Sequence, residues 1–230
     1  MGDALRPWAP DVWLADGDPV RMLGVPFETR MTVVRLPDGG LWIHSPVAAS
    51  EARVAGVREL GRVAHLVAPD RFHHLFLGAW RARAPEAALW AAPGLARRRP
   101  DLSFTGELGD AAPDAWRGVL DQVVFAGSPL IAELVFHHRP SRTLIFTDIV
   151  QSHEPSDGFA WRTLKRWNGV LAPDGGCPRD WRLTVRDRAS ARRAAETILG
   201  WDFERLVLCH GRCLSEGARP FVERAFAWLV

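Results

Sequence analysis

Two adjacent histidines, His73 and His74, follow shortly after the apolar run Leu66-Val67-Ala68-Pro69, and two further apolar runs end on side chains of the same chemical type. Thr143-Leu144-Ile145-Phe146-Thr147 runs into Asp148, and Leu206-Val207-Leu208-Cys209 runs into His210. Imidazole and carboxylate are the donor groups that hold Zn²⁺, Fe²⁺ or Mn²⁺. Delivered from the ends of separate strands they could converge on one ion, because loops at a strand's C-terminal edge are positioned by a rigid sheet yet stay open to solvent. A simpler reading gives the paired histidines a hydrogen-bonded helical first turn and no ligand. Alternation puts Leu206, Leu208 and His210 on one side of their strand and Val207 and Cys209 on the other, so His210 and Cys209 do not serve the same ion. Cys209 and Cys213 read as small buried apolar residues, since Cys-His-Gly-Arg-Cys has no second pair at zinc-finger spacing. Glu133 shares a strand face with Val135 and His137, a carboxylate that could orient a ligand histidine, shuttle a proton or pair with Arg71.

The elements that must position these groups alternate along the chain. Asp11 to Ala15 reads as a strand followed by the turn signal Asp16-Gly17-Asp18-Pro19. Met31 to Leu36 and Leu41 to His44 form a hairpin across Pro37-Asp38-Gly39-Gly40. Ser45 and Pro46 supply a cap and a first-turn proline to a helix with Val47, Val54, Val57 and Leu60 at helical spacing, which leads to the strand Ala64 to Ala68. A helix through Leu75, Phe76 and Trp80 ends at Pro85, Ala87 to Ala91 is a short strand, and Pro93 opens another helix. Strands at 121–126, 132–137 and 142–147 follow, with His137 and His138 expected at an exposed turn. Helices at 158–167 and 186–199, the strand 203–209 and an amphipathic helix at 216–229 complete the pattern. His44, His65 and His153 have no partner that the sequence identifies.

Composition sets the class. A chain of 230 residues with 47% hydrophobic and 24% charged residues has the makeup of a globular protein and forms a single domain over 1–230. A net charge of only +2 argues against a nucleic-acid partner. No apolar run reaches the roughly 18–20 residues of a membrane span, so no membrane partner is expected. Three cysteines without a signal peptide ahead of them fit a reducing cytoplasm. Lys165 is the sole lysine and tyrosine is absent, a compositional bias rather than a chemical device. Most of the eleven tryptophans fall at core spacing.

The order and spacing of Leu66-Val67-Ala68-Pro69-Asp70-Arg71-Phe72-His73-His74, Phe125-Ala126-Gly127-Ser128, Thr143 to Asp148 and Leu206 to Gly211 resemble the metallo-β-lactamase superfamily over nearly the whole chain. The hairpin Arg35 to Ile43 resembles a branch known only as a domain of unknown function. The resemblance implies an α/β fold, a four-layer αββα sandwich, with a metal site at the sheet edges. It implies that His73 stands where the family has an aspartate ligand, that His74 matches the last histidine of H-x-H-x-D-H, that Asp148 matches the bridging carboxylate and His210 the terminal histidine. Pro69, Arg71 and Ser128 fall where the ligands of a second ion belong, so one divalent metal is expected, Zn²⁺ first, with Fe²⁺ or Mn²⁺ as alternatives. Asp148 and Glu133 are the carboxylates to which catalytic roles are assigned. The functional expectation is a mononuclear metal-dependent hydrolase acting on a small molecule. The alternative is a non-catalytic scaffold of the same fold with a binding or interaction role.

Overall fold

The computed structural model describes residues 4–22, 25–155 and 158–230. The chain divides into two compact units, Met1–Gly109 with Pro113–Val119, and Asp110–Ala112 with Leu120–Val230. Each is a sheet with helices packed on it.

The first unit carries a seven-stranded sheet in the order of the chain: β1 (Arg6–Ala9), β2 (Val12–Met22), β3 (Val25–Arg35), β4 (Gly40–His44), β5 (Arg62–Ala68), β6 (Ala88–Ala91) and β7 (Gly106–Glu107). β1 to β4 pair antiparallel, and β4 to β7 pair parallel. Parallel neighbours need crossovers, which are α1 (Glu51–Leu60), α2 (Leu77–Arg83) and α3 (Leu95–Arg98). Every residue of β4 is buried, the expected result where both faces of a strand are covered. Leu41 and Ile43 join Val54, Val57, Leu66, Leu77 and Trp80 in one core. Full burial of side chains of this size stabilises by about 1.5–3 kcal/mol each.

The signal at 16–19 is not a turn: β2 runs through it, and the pairing with β3 shifts between Gly17 and Val20. A bulge accommodates Pro19, which has no ladder donor, while Gly17 is required because a Cβ there would lie 2.5 Å from Thr29 Oγ1. α1 starts at Ser50 rather than Ser45; the Ser50 hydroxyl accepts from Arg53 N at 3.2 Å and caps the first turn. Pro93, too, precedes only the single turn of α3.

The second unit has a four-stranded sheet in the order β11-β10-β9-β8, formed by β8 (Leu120–Phe125), β9 (Glu133–His138), β10 (Thr143–Phe146) and β11 (Arg205–Leu208). β8, β9 and β10 are an antiparallel meander, and β11 lies parallel to β10. Between β10 and β11 come α4 (Phe159–Asn168), α5 (Arg179–Thr184) and α6 (Arg188–Gly200), and α7 (Ala218–Phe226) follows. α5 was not foreseen. α6 turns Ala191, Ala194, Ala195 and Ile198 inward at helical spacing, and Phe226 of α7 stacks on Phe125 at 5.5 Å.

His137 and His138 are buried, against the expectation of an exposed turn. His137 is fixed by Asp121 Oδ2 at 3.2 Å, the Asp202 carbonyl at 3.0 Å and a stacked Trp201, while His138 Nδ1 meets Ser141 Oγ at 2.7 Å. These partners satisfy polar groups that burial would otherwise strand.

Gly211, just past β11, has φ +96°, and a Cβ there would lie 2.0 Å from the Ser152 carbonyl oxygen. Gly211→Ala is therefore expected to cost about 3 kcal/mol or more in urea unfolding. Gly217, at φ +70° with nothing within 4 Å of its Cβ position, is the control; Gly217→Ala should cost about 1 kcal/mol. Equal losses would contradict the steric account.

Candidate metal centre

The second unit brings two of the sequence-predicted ligands together through strand register. β10 and β11 run parallel with Phe146 opposite Leu208, so the residues two further along each chain, Asp148 and His210, emerge side by side. His210 Nε2 lies 3.0 Å from Asp148 Oδ1, and both residues are nearly buried. The chain beyond them is stitched together: Ser152 N donates to the His210 carbonyl at 3.2 Å, and Arg212 N to the Ser152 carbonyl at 2.7 Å.

Glu133, wholly buried at the start of β9, fixes the Asp148 segment. Its Oε1 accepts from Thr147 N at 2.7 Å, and its Oε2 accepts from Asp148 N at 2.7 Å and Ile149 N at 2.8 Å. This is a positioning role that the sequence reading did not name: the carboxylate holds the backbone that carries Asp148. His153, which the sequence left without a partner, lies stacked against His210 with ring centroids 6.3 Å apart, and its Nε2 is 2.9 Å from Gln151 Oε1. Burial pushes the His153 imidazole down to about 3, with smaller contributions from Lys165 and His210.

The first unit places His73 in a turn after β5 rather than at a helix start. Asp70 is wholly buried, and its Oδ1 accepts from Phe72 N at 2.6 Å and His73 N at 2.8 Å, an Asx turn that sets the direction of the segment. His73 Nδ1 is 2.7 Å from Ser45 Oγ, while its Nε2 is 3.9 Å from Asp70 Oδ2. Ser45 stands at the end of β4 with φ +51°. Next to it, His44 stacks on Trp42, and burial first, then His73, holds its imidazole well below the ordinary value.

His74 is engaged differently. Arg99 Nη1 lies 2.9 Å from His74 Nδ1, and arginine can only donate. Nδ1 is thus the accepting nitrogen and the proton sits on Nε2, on a ring beside a guanidinium that would repel an incoming ion. Burial and then Arg99 lower its pKa, in keeping with a neutral ring. Ser128 is likewise spent: its hydroxyl meets Thr184 Oγ1 at 2.8 Å and accepts from Leu130 N at 3.1 Å. Cys209 is fully buried, and Cys213 is partly so, with its Sγ 3.4 Å from Leu208 N.

Ser45, Asp70, Arg99 and His153 are the residues that sequence reasoning missed. Ser45 was findable, since it ends a strand as Asp148 and His210 do, and Asp70 carries the Asx-turn spacing to Phe72 and His73. Arg99 carried no signal, being 25 residues from the group it meets.

With this geometry described, the comparisons with known proteins place the chain. Residues 11–96 match the family described as a domain of unknown function, DUF4336. No curated protein matches the sequence. The chain has the metallo-β-lactamase fold. It superimposes on a metallo-β-lactamase from Hirschia baltica with a TM-score of 0.65 at 10% identity, over 98% of this chain and 96% of that one. The mono-zinc form of the metallo-β-lactamase FIM-1 from Pseudomonas aeruginosa gives 0.64 at 9% identity, over 98% and 95%. The metal-soaked Flv1 flavodiiron core from Synechocystis sp. PCC6803 gives 0.68 at 14% identity over 98% of this chain, which spans 60% of the length of that core.

Two outcomes test the site as built. Glu133→Gln puts an amide N–H against backbone donors in a dry setting and should cost about 3 kcal/mol in urea unfolding; a loss under about 1 kcal/mol would show that the Asp148 segment holds itself. The second concerns pH. An unfolded histidine takes up its proton near pH 6.5, about where model peptides do, whereas folded His153 does so only at about 3. Between those values the unfolded chain binds the extra proton, so this contribution is full above pH ~6.5 and declines as pH falls toward ~3. His153→Gln should flatten that acid limb of the stability curve, and an unchanged slope would refute the assignment.

Proposed function

We propose that the protein binds one divalent transition-metal ion, Zn²⁺ first with Fe²⁺ or Mn²⁺ as alternatives, through Asp148 and His210, and acts as a metal-dependent hydrolase of a small-molecule substrate. The observation that carries this reading is the Asp148–His210 pair, 3.0 Å apart on a backbone that Glu133 holds fixed. Two donors on a tetrahedral ion, each about 2.1 Å from it, lie about 3.4 Å apart. The pair, now a hydrogen bond from His210 Nε2 to Asp148 Oδ1, fits within a few tenths of an ångström once the ion displaces that proton. Imidazole and carboxylate are also the donor set such ions prefer. The fold likeness to a β-lactamase described in a mono-zinc form supports the same reading. A bound ion would lower the pKa of a coordinated water and polarise a carbonyl or phosphoryl oxygen. Of this chain's own residues, Glu133 positions Asp148.

Pro69, Arg71 and Ser128 leave no second site, since proline offers no donor, a guanidinium repels a cation and the Ser128 hydroxyl is already engaged. Elemental analysis of protein purified without chelator should therefore give about one equivalent per chain, unchanged by excess Zn²⁺. EDTA should lower the melting temperature by several degrees, as mass action requires when an ion binds only the folded state. His210→Ala should lose the metal and Cys209→Ala retain it. No metal together with an unchanged melting curve would favour the non-catalytic scaffold; two equivalents would overturn the mononuclear reading.

A further inference from the structure

Helix α4 reads Phe-Ala-Trp-Arg-Thr-Leu-Lys-Arg-Trp-Asn and buries none of its residues. At about 100° per residue, Ala160, Leu164 and Trp167 fall in one arc and Arg162, Lys165 and Arg166 in the opposite one. The apolar arc faces solvent: Leu164 is 45% and Trp167 56% exposed, while Phe159, 77% exposed at the helix start, falls on the basic side under Arg162. α5 adds a further exposed apolar side chain, Leu183 at 81%. Its first turn is pinned to the end of α4, because Asn168 Nδ2 donates to Asp180 Oδ1 at 3.1 Å and Asp180 N donates to Asn168 Oδ1 at 3.0 Å. Of the large apolar residues that stand exposed among the described residues, more lie on these two short helices than on all the rest.

Charge singles out the same surface. Residues 159–188 contain seven basic and three acidic side chains, a net +4 in a chain whose whole net charge is +2. Two of those carboxylates are occupied at helix starts, Asp180 accepting from Trp181 N and Asp187 from Ser190 N. The Arg162 guanidinium stands 6.0 Å over the exposed Phe159 ring. A helix whose role is only to be solvated has no use for exposed leucine and tryptophan. A second copy of the same face would bring net positive charge against itself, and nucleic acid would meet the guanidinium groups but not the leucines.

We propose that α4 and α5 form an anchor that lies on an anionic lipid surface, with Leu164, Trp167 and Leu183 at the headgroup–acyl boundary and the basic side chains on lipid phosphate. A helix with a charged face and an apolar face carrying tryptophan is the form that binds in the interfacial plane. No helix of the described residues is long and apolar enough to cross a membrane, and the argument from spanning length does not bear on a helix that lies flat.

Co-sedimentation of the full chain with phosphatidylcholine vesicles, with and without phosphatidylglycerol, tests this. Binding is expected only with phosphatidylglycerol and should weaken as salt rises. Leu164→Asp with Leu183→Asp, both exposed and so expected to leave the melting temperature unchanged, should reduce binding roughly 10-fold or more. Arg162→Gln with Arg166→Gln should remove the preference for the anionic lipid. Absence of binding, equal binding to both vesicles, or full binding by the leucine double variant would each overturn the proposal. So would a self-association or duplex-DNA complex that the leucine variant abolishes while vesicles are ignored.

Discussion

A carboxylate taken fully out of water costs several kcal/mol unless hydrogen bonds to it replace the lost hydration. Glu133 is in that position, and the replacement comes from the consecutive amides of Thr147, Asp148 and Ile149. Charge-assisted bonds of this kind contribute about 1.5–3 kcal/mol each, so the set roughly offsets the burial only when every member is made. This makes the path of the chain after β10 nearly obligatory. A backbone that relaxed by an ångström would strand the charge, and the same backbone carries Asp148. The placement of Asp148 therefore derives from a carboxylate that holds its backbone amide, fifteen residues earlier on the adjacent strand.

The second determinant is register. Because β10 and β11 are parallel neighbours, their C-terminal ends leave the sheet at one edge, and equal overhangs bring Asp148 and His210 together. That much could be read from the sequence, since two apolar runs each ending in a ligand-type residue are visible without a structure. Apart from β1, β7 and α5, the element order was visible for the same reason: buried parallel strands are short continuous apolar runs, and the crossovers carry helical spacing. The fold resemblance rested on the same strand ends.

What the sequence did not show depends on contacts between distant residues. Asp16 to Pro19 has the composition of a turn, and only the pairing of β2 with β3 turns it into a bulge. His137 and His138 look like exposed turn residues until Asp121, Trp201 and Ser141 arrive to satisfy them. Glu133 was placed on the correct strand face by alternation, but its partners were misjudged because backbone amides leave no trace in a sequence. Side-chain partners can be guessed from residue type; backbone partners cannot.

The paired histidines illustrate how neighbouring charge divides two chemically identical groups. His73 meets a neutral hydroxyl, Ser45, which can accept a proton from Nδ1 and so leave Nε2 basic. His74 meets a guanidinium, which can only give one. Arg99 is in turn held as a cation by Asp101, with bonds of 2.6 and 2.8 Å that raise its pKa still further. The charge beside His74 is therefore permanent at any pH where the protein folds, and a metal ion approaching that imidazole would be opposed by it. Arginine also occupies position 71, one of the places where the resemblance puts a ligand of the second ion. Electrostatics at this one turn, rather than residue type, thus separates two adjacent imidazoles: one meets a hydroxyl and the other a fixed cation.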